Sequence, residues 1–539
     1  MMRYINFDKT AVYPLLADYS AAWKGFDYKA ALNAERVQQC QSPMAAGLRY
    51  SWAAKAVDSE VLKLLQALAD EQELVAKYNA LLSGDVINTG EKRKVLHQLL
   101  RGEKGQPVIE NGKNIGEFYR GELRRFGAFA EAVRNGTLKG STGKDFTTVV
   151  QIGIGGSDLG PRALYLALEN WAAAESSSCE KGAPAQQGVK KLDAHFISNV
   201  DPDDASAVAA SVPLDQTLFV LVSKSGTTQE TLANELFVKD KLSKAGLASA
   251  KHMVAVTSET SPLARNPAYL DSFYIDDYIG GRYSSSSAVG GCVLSLAFGP
   301  AVFREFLSGA AEADGLALES DILKNAALLD ALIGVWERNF LSYPYTAVLP
   351  YSQALSRFPA HLQQLDMESN GKRVNRDGQP IAYNTGPVVF GEPGTNGQHS
   401  FYQLLHQGTS TVPLQFIGFV ESQKGDDVSV DGSVSQTKLN ANLAAQIVAF
   451  AKGQRDANLN KDFPGGRPSS LIYGKRLTPA VLGSLLAHFE NKVMFQGFVW
   501  NINSFDQEGV QLGKILTKKV LSGNSDDSAL DAYSKILGV

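Results

Sequence analysis

Ser223-Lys224-Ser225-Gly226-Thr227-Thr228 gathers four hydroxyls, a cation and a glycine into one short run. The apolar QTLFVLV precedes it and QETLANELFVKDKL follows, so the run is expected at a strand-to-helix turn. The first N–H groups of a helix have no partner within it and carry the positive end of its dipole, which suits an anion. The GxxxxGK[ST] spacing of a nucleotide loop is absent, so a phosphomonoester is the better reading. A Ser/Thr-capped helix without a ligand fits the same residues. A second turn, Gly153-Ile154-Gly155-Gly156-Ser157-Asp158, invites comparison with a dinucleotide fingerprint. The spacing departs from it, because Ser157 and Asp158 come before the next glycine. Gly156 and Ser157 are read instead as a second wall of a sugar-phosphate site.

Other candidates are single residues. Glu368, in Asp366-Met367-Glu368-Ser369-Asn370-Gly371-Lys372, is either a carboxylate base beside a turn or a solvated helix end. His399, in Gly397-Gln398-His399-Ser400, opens a helix after a second Gly-Thr loop. His406 follows at a distance that does not make a chelating helix pair, and no metal is expected. Arg282 follows the pair Gly280-Gly281, where backbone can crowd a site. Gln507 and Lys514 would share a face if the segment joining them were helical throughout. Taken singly, each of these is more simply a surface polar group.

The elements that would position these residues alternate. FTTVVQIGIGGSDLGPRALYLALENW (146–171) reads as strand, turn and helix, QTLFVLVSKSGTTQETLANELFVKDKL (216–242) repeats the order, and KHMVAVTSE (251–259) adds a strand. The order restarts at YTAVLPY (345–351). A helical stretch through FPAHLQQLDMESNGK (358–372), a strand–loop–helix in GPVVFGEPGTNGQHSFYQLLHQG (386–408) and a strand in VPLQFIGFVES (412–422) follow. KSGTTQET and EPGTNGQHS look alike, each a Gly-Thr loop after a strand. The expected fold is α/β: two doubly wound parallel-sheet domains of three-layer α/β/α design, with helical extensions at both ends. The expected division is a mostly helical segment over 1–120, a first domain with the phosphate loop over 121–310, a second over 311–515 and a helical tail over 516–539. VLKLLQALADEQELVAKYNALL (61–82) and RKVLHQLLRG (93–102) are expected as helices, and ESSSCEKGAPAQQG (175–188) as a surface insertion.

Composition excludes several classes. The chain has 539 residues, 44% of them hydrophobic, enough for two or three ordinary domains. A net charge of −4 gives no general attraction to nucleic acid or acidic membranes, so an anionic ligand needs a local site. Cys40, Cys179 and Cys292 are far apart and form no CxxC pair, which fits a reducing compartment. The first residues, MMRYINFDKTAVYPLL, lack a signal-peptide pattern, and no apolar run reaches the ~18–20 residues of a membrane helix. A cytoplasmic protein is expected.

Together, IGIGGSDLGP, SKSGTTQET, GGRYSSSSAVG, MESNGK, GEPGTNGQHSFYQLLHQGT and FDQEGVQLGK resemble the motif set of the phosphoglucose isomerase family, in family order over roughly residues 85 to 520. The resemblance implies two sugar isomerase domains in a homodimer with shared active sites and no cofactor. It implies isomerisation of glucose 6-phosphate and fructose 6-phosphate through a cis-enediolate, in glycolysis and gluconeogenesis. Carried over by motif, Gly156, Ser157, Ser223, Lys224, Ser225, Gly226, Thr227 and Thr228 would form the phosphate site. Glu368 would be the base, Arg282 would steady the enediolate, His399 and Lys514 would assist ring opening, and Gln364 and Gln507 would position substrate. Ser285, Ser286, Glu508 and Gln511 depart from common family choices, but none replaces an implied catalytic group. A non-catalytic sugar-phosphate sensor would keep SKSGTT and lose the other motifs. An amidotransferase of the same fold would need an N-terminal nucleophilic cysteine, where this chain has Met1-Met2-Arg3.

Overall fold

The first βα repeat folds as its apolar runs require. In the computed structural model, which describes residues 2–23, 25–178 and 192–539, five parallel strands form one sheet. Their spatial order is Asp193–Ile197, Thr148–Ile152, Thr217–Val222, Met253–Thr257 and Ser272–Tyr274. Thr217–Val222 and Met253–Thr257 are buried along their whole length, as strands covered on both faces must be. By chain order this sheet runs 2-1-3-4-5, and its direction switches between Thr148–Ile152 and Thr217–Val222. In such sheets ligands enter the crevice outside the carboxyl ends of the strands at that switch. The glycine turn and the hydroxyl-rich loop are the segments that leave those two strands.

The second sheet repeats the plan. Its parallel strands lie in the order Val388–Phe390, Tyr345–Pro350, Leu414–Phe419 and Ser469–Gly474, again 2-1-3-4. The two Gly-Thr loops do not occupy equivalent places in this repeat. SKSGTT leaves the third strand of its sheet, whereas EPGTNGQHS leaves the second of its own. The edge is completed by Arg49–Ser51, antiparallel to Ser469–Gly474, and by Gln41–Pro43 beyond it. The N-terminal segment, expected to be mostly helical, therefore contributes a hairpin to the far sheet.

Two helices of that segment, Ser59–Glu71 and Leu74–Leu82, replace the single leucine-periodic helix expected over 61–82. Glu73 interrupts it with a left-handed φ of 52°. Over 93–102 only a short 3₁₀ turn forms, His97–Arg101. Ala288–Phe298 has every residue buried, and so does all but Ala480 of the long Pro479–Val499. The latter meets Pro300–Leu316 through glycines. A Cβ on Gly483 would lie 1.9 Å from the Phe306 carbonyl oxygen, and one on Gly309 1.9 Å from that of Ala480. Gln511–Leu521 and Ser528–Ile536 end the chain with no buried residue. The expected insertion lies, from Cys179 onward, outside the described residues. Among the described residues no helix is long and apolar enough to cross a membrane.

Candidate active site

The hydroxyl-rich loop is internally organised. Ser223 Oγ accepts from the Gly226 amide at 3.1 Å and donates to Thr228 Oγ1 at 3.2 Å. Ser225 Oγ accepts from the amide and the hydroxyl of Thr227 at 3.2 and 2.9 Å. Gly226 has φ +66°, and a Cβ there would lie 2.2 Å from Ser261 Oγ, so only glycine turns the chain at this point. Thr228 caps Gln229–Lys244 through its backbone position, with no side-chain bond to the helix amides. Those amides and Thr228 Oγ1 keep donor capacity for an anion at the positive end of a 16-residue helix. Lys224 donates to the Ile279 carbonyl at 3.2 Å and lies 3.9 Å from Asp277. Burial pulls its pKa below the ordinary lysine value, against the pull of Asp277.

The glycine turn is pressed against Arg282. A Cβ on Gly156 would lie 2.2 Å from the Gly281 carbonyl and 2.7 Å from the Arg282 amide, so the two glycine motifs exist to let these backbones touch. Ser157 ends the 3₁₀ turn Gly155–Ser157, and its carbonyl accepts from Gln151 Nε2 at 2.7 Å. Gln364 borders the same turn, its Nε2 3.3 Å from a Cβ position on Gly155.

Arg282 and Glu368 meet side by side. The helix expected over 358–372 is α-helical at Phe358–Gln363, widens to a π turn at Gln364–Glu368 and ends by residue 370. Such single turns recur at functional sites because they re-aim side chains. Glu368 Oε2 accepts from Gln364 Nε2 at 3.1 Å and lies 3.4 Å from Arg282 Nη1. The arginine side chain is 1% exposed and that of the glutamate 23%, so the carboxylate is partly open to solvent while the cation is buried. Arg282 Nε donates to Ser369 Oγ at 2.7 Å, and Nη2 donates to the carbonyls of Ser504 and Asp506 at 2.7 and 2.9 Å. Lys224 and Gln507 line one cleft together with Asn88, Glu91, Asp277 and Tyr283, the ring that follows Arg282 in the chain. A carboxylate beside a buried guanidinium is equipped to move a proton next to a developing oxyanion.

Comparison with known proteins agrees with this chemistry. Residues 51–535 match the family model for phosphoglucose isomerase. The chain is 63% identical over 503 residues to the glucose-6-phosphate isomerase of Treponema denticola, covering 93% of each. It is 61% identical over 539 residues to that of Treponema pallidum, covering 99% of this chain and 98% of the relative. The chain belongs to the phosphoglucose isomerase family. The crystal structure of a glucose-6-phosphate isomerase from Chlamydia trachomatis superposes with a TM-score of 0.90 at 41% identity, covering 99% of both chains.

Not every family position meets within one chain. The structure brings Gly156 against Arg282, Arg282 against Glu368 and Glu368 against Gln364, while Lys224 and Gln507 share a cleft. His399, in the 3₁₀ turn Asn396–His399, and Lys514 are exposed, and no hydrogen bond or ion pair among the described residues ties either to that group. The shared helix expected for Gln507 and Lys514 does not form. Gln507 has φ −144° and ψ 41°, outside helical geometry, and Lys514 belongs to the separate helix Gln511–Leu521. The phosphoglucose isomerase motifs also hold residues that reasoning from types passed over. Lys372 pairs with the Asp506 carboxylate, and Ser504 Oγ donates to Asn370 Oδ1 at 2.7 Å. MESNGK is thus a clamp on the segment that carries Gln507, as well as the seat of Glu368. The available signal was that Lys372 and Asp506 both lie within motifs.

Proposed function

We propose that this chain catalyses the reversible isomerisation of glucose 6-phosphate and fructose 6-phosphate, a step of glycolysis and gluconeogenesis, with the following division of labour. Ser157, Ser223, Lys224, Ser225, Thr227 and Thr228 hold the phosphate, with Gly156 and Gly226 giving the backbone room. This fixes the sugar far from the reacting carbons and supplies orientation. His399 and Lys514 open the pyranose ring by passing a proton to the ring oxygen and taking one from the first hydroxyl. Glu368 removes the proton from the second carbon, giving a cis-enediolate, and returns it to the first. Arg282 lies against the oxygens on which charge develops, and Gln364 and Gln507 position the chain of hydroxyls. The observation that carries this reading is the Arg282–Glu368 pair, with Arg282 packed against the glycine turn at the sheet's switch point.

The exposed positions of His399 and Lys514 support a homodimer in which one protomer completes the other's site. The matching strand orders support two sugar isomerase domains, over 121–310 and 311–515. Proton transfer between a carboxylate and carbon needs neither metal nor redox cofactor, and the reading includes metal independence and a cytoplasmic setting. The test is a coupled assay of purified protein on fructose 6-phosphate, with and without EDTA. Full turnover in both is expected. Absence of turnover would overturn the assignment, and activity lost to the chelator and restored by zinc or manganese would overturn metal independence.

A further inference from the structure

Arg282 uses most of its donors before any substrate arrives. Nε is given to Ser369 Oγ, both donors of Nη2 to the Ser504 and Asp506 carbonyls, and Nη1 stands beside Glu368. Ser369 is fully buried and directly follows the base in the chain. Its Oγ also lies 2.9 Å from Tyr283 Oη, which in turn is 3.5 Å from the Ser504 carbonyl. Because Tyr283 Oη donates to the Ser504 carbonyl, the bond between the two hydroxyls is donated by Ser369. The result is a closed ring of donors: Arg282 to Ser369, Ser369 to Tyr283, Tyr283 to the Ser504 carbonyl, which also accepts from Arg282. Burial pushes the Tyr283 hydroxyl up to about 12, so it keeps the proton the ring needs. His97 stacks on the tyrosine ring at 4.5 Å and fixes its plane.

We propose that Ser369 and Tyr283 are positioning residues that lock the Arg282 guanidinium so that Nη1 alone is left to meet the enediolate oxygens. The proposal rests on the oxyanion role given to Arg282 above. A guanidinium held in one plane stabilises charge without reorganising as the charge appears, which is where preorganised donors gain their effect. Neither residue touches substrate. Their contribution therefore belongs to the transition state and not to binding of the phosphate.

Two inhibitors separate these effects. A phosphorylated hydroxamate has a planar anionic head that copies the enediolate, whereas a phosphorylated hexitol carries the phosphate without an oxyanion. Ser369→Ala and Tyr283→Phe are expected to weaken the hydroxamate roughly 10–100-fold and leave the hexitol within about threefold. In parallel, kcat should fall while KM holds. Equal losses for both inhibitors, or none, would overturn the proposal. Tyr283→Phe removes a single oxygen and decides the matter if Ser369→Ala does not fold. Arg282→Lys is the reference. If it keeps the wild-type preference for the hydroxamate, the oxyanion reading falls and takes this proposal with it. If it loses that preference while Ser369→Ala and Tyr283→Phe keep it, only the positioning role is overturned.

Discussion

Nη1 of Arg282 stands 3.4 Å from Oε2 of Glu368, and the pair joins turns that follow strands of different sheets. Arg282 comes from the 3₁₀ turn Gly281–Ser286 after the first sheet, and Glu368 from the π turn after the first strand of the second. The carboxylate is partly open to solvent, so the ion pair itself adds little to stability. Its value lies in geometry. In the proposed reaction the guanidinium beside the carboxylate serves the oxygens next to the carbon that the carboxylate deprotonates.

Glu368→Gln should abolish that proton transfer and leave substrate binding nearly intact. Loss of a positioned base typically lowers kcat by ~10²–10⁴-fold. Exchange of the hydrogen on the second carbon with solvent deuterium, followed by NMR, should collapse with kcat. Near-normal exchange would assign the base to another residue.

Thr228→Ala and Ser225→Ala should act on binding of the phosphate. A hydrogen bond to a charged group contributes about 1.5–3 kcal/mol. Calorimetry should show weakened affinity for glucose 6-phosphate in both variants. Unphosphorylated glucose should bind poorly to all forms, wild type included.

Mixing subunits tests the shared site. Homodimers of Glu368→Gln and of His399→Ala should each be nearly inactive. Refolded together, half the dimers are mixed and each of these carries one intact site, so activity should approach roughly a quarter of wild type. No recovery after verified exchange would place Glu368 and His399 in the same chain's site.

His361 predicts a pH effect on stability. It is buried with both ring nitrogens unpartnered, and burial lowers its pKa from 6.5 to about 4. Between those values the unfolded chain binds the proton and the folded one does not. Its contribution is therefore complete above pH 6.5 and is lost as pH falls toward 4. The wild-type Tm should drop across this window relative to His361→Leu. Parallel curves would show that the imidazole is not buried in the neutral form.

Loops were legible in the sequence because their chemistry is local. Hydroxyls, glycines and a lysine at the end of an apolar strand announce themselves without knowledge of the rest. The π turn at Gln364–Glu368 was not, since its residues carry ordinary helix propensity and only packing selects the wider turn. Pro479–Val499 gives no amphipathic signal for a related reason. Its Lys492 is buried 3.0 Å from Asp330 and its Glu490 is buried beside Arg101, so polar residues lie on every face and find partners only in the folded protein. Ser369 was invisible as a contributor, because a serine in MESNGK shows nothing of the arginine brought to it.

The hairpin Gln41–Ser51 sets a condition on synthesis. Tyr473 donates to Gln41 across 432 residues, and Arg49–Ser51 pairs with the strand Ser469–Gly474. The first sheet can close as soon as Tyr274 has left the ribosome, but this pairing waits until nearly the whole chain has been made. Through that interval the hairpin carries an open strand edge with nothing to cover it. Loop closure over such a separation is slow, and exposed edges are where chains meet other chains. Yield in the cell should therefore be limited by how well the first fifty residues are chaperoned during elongation.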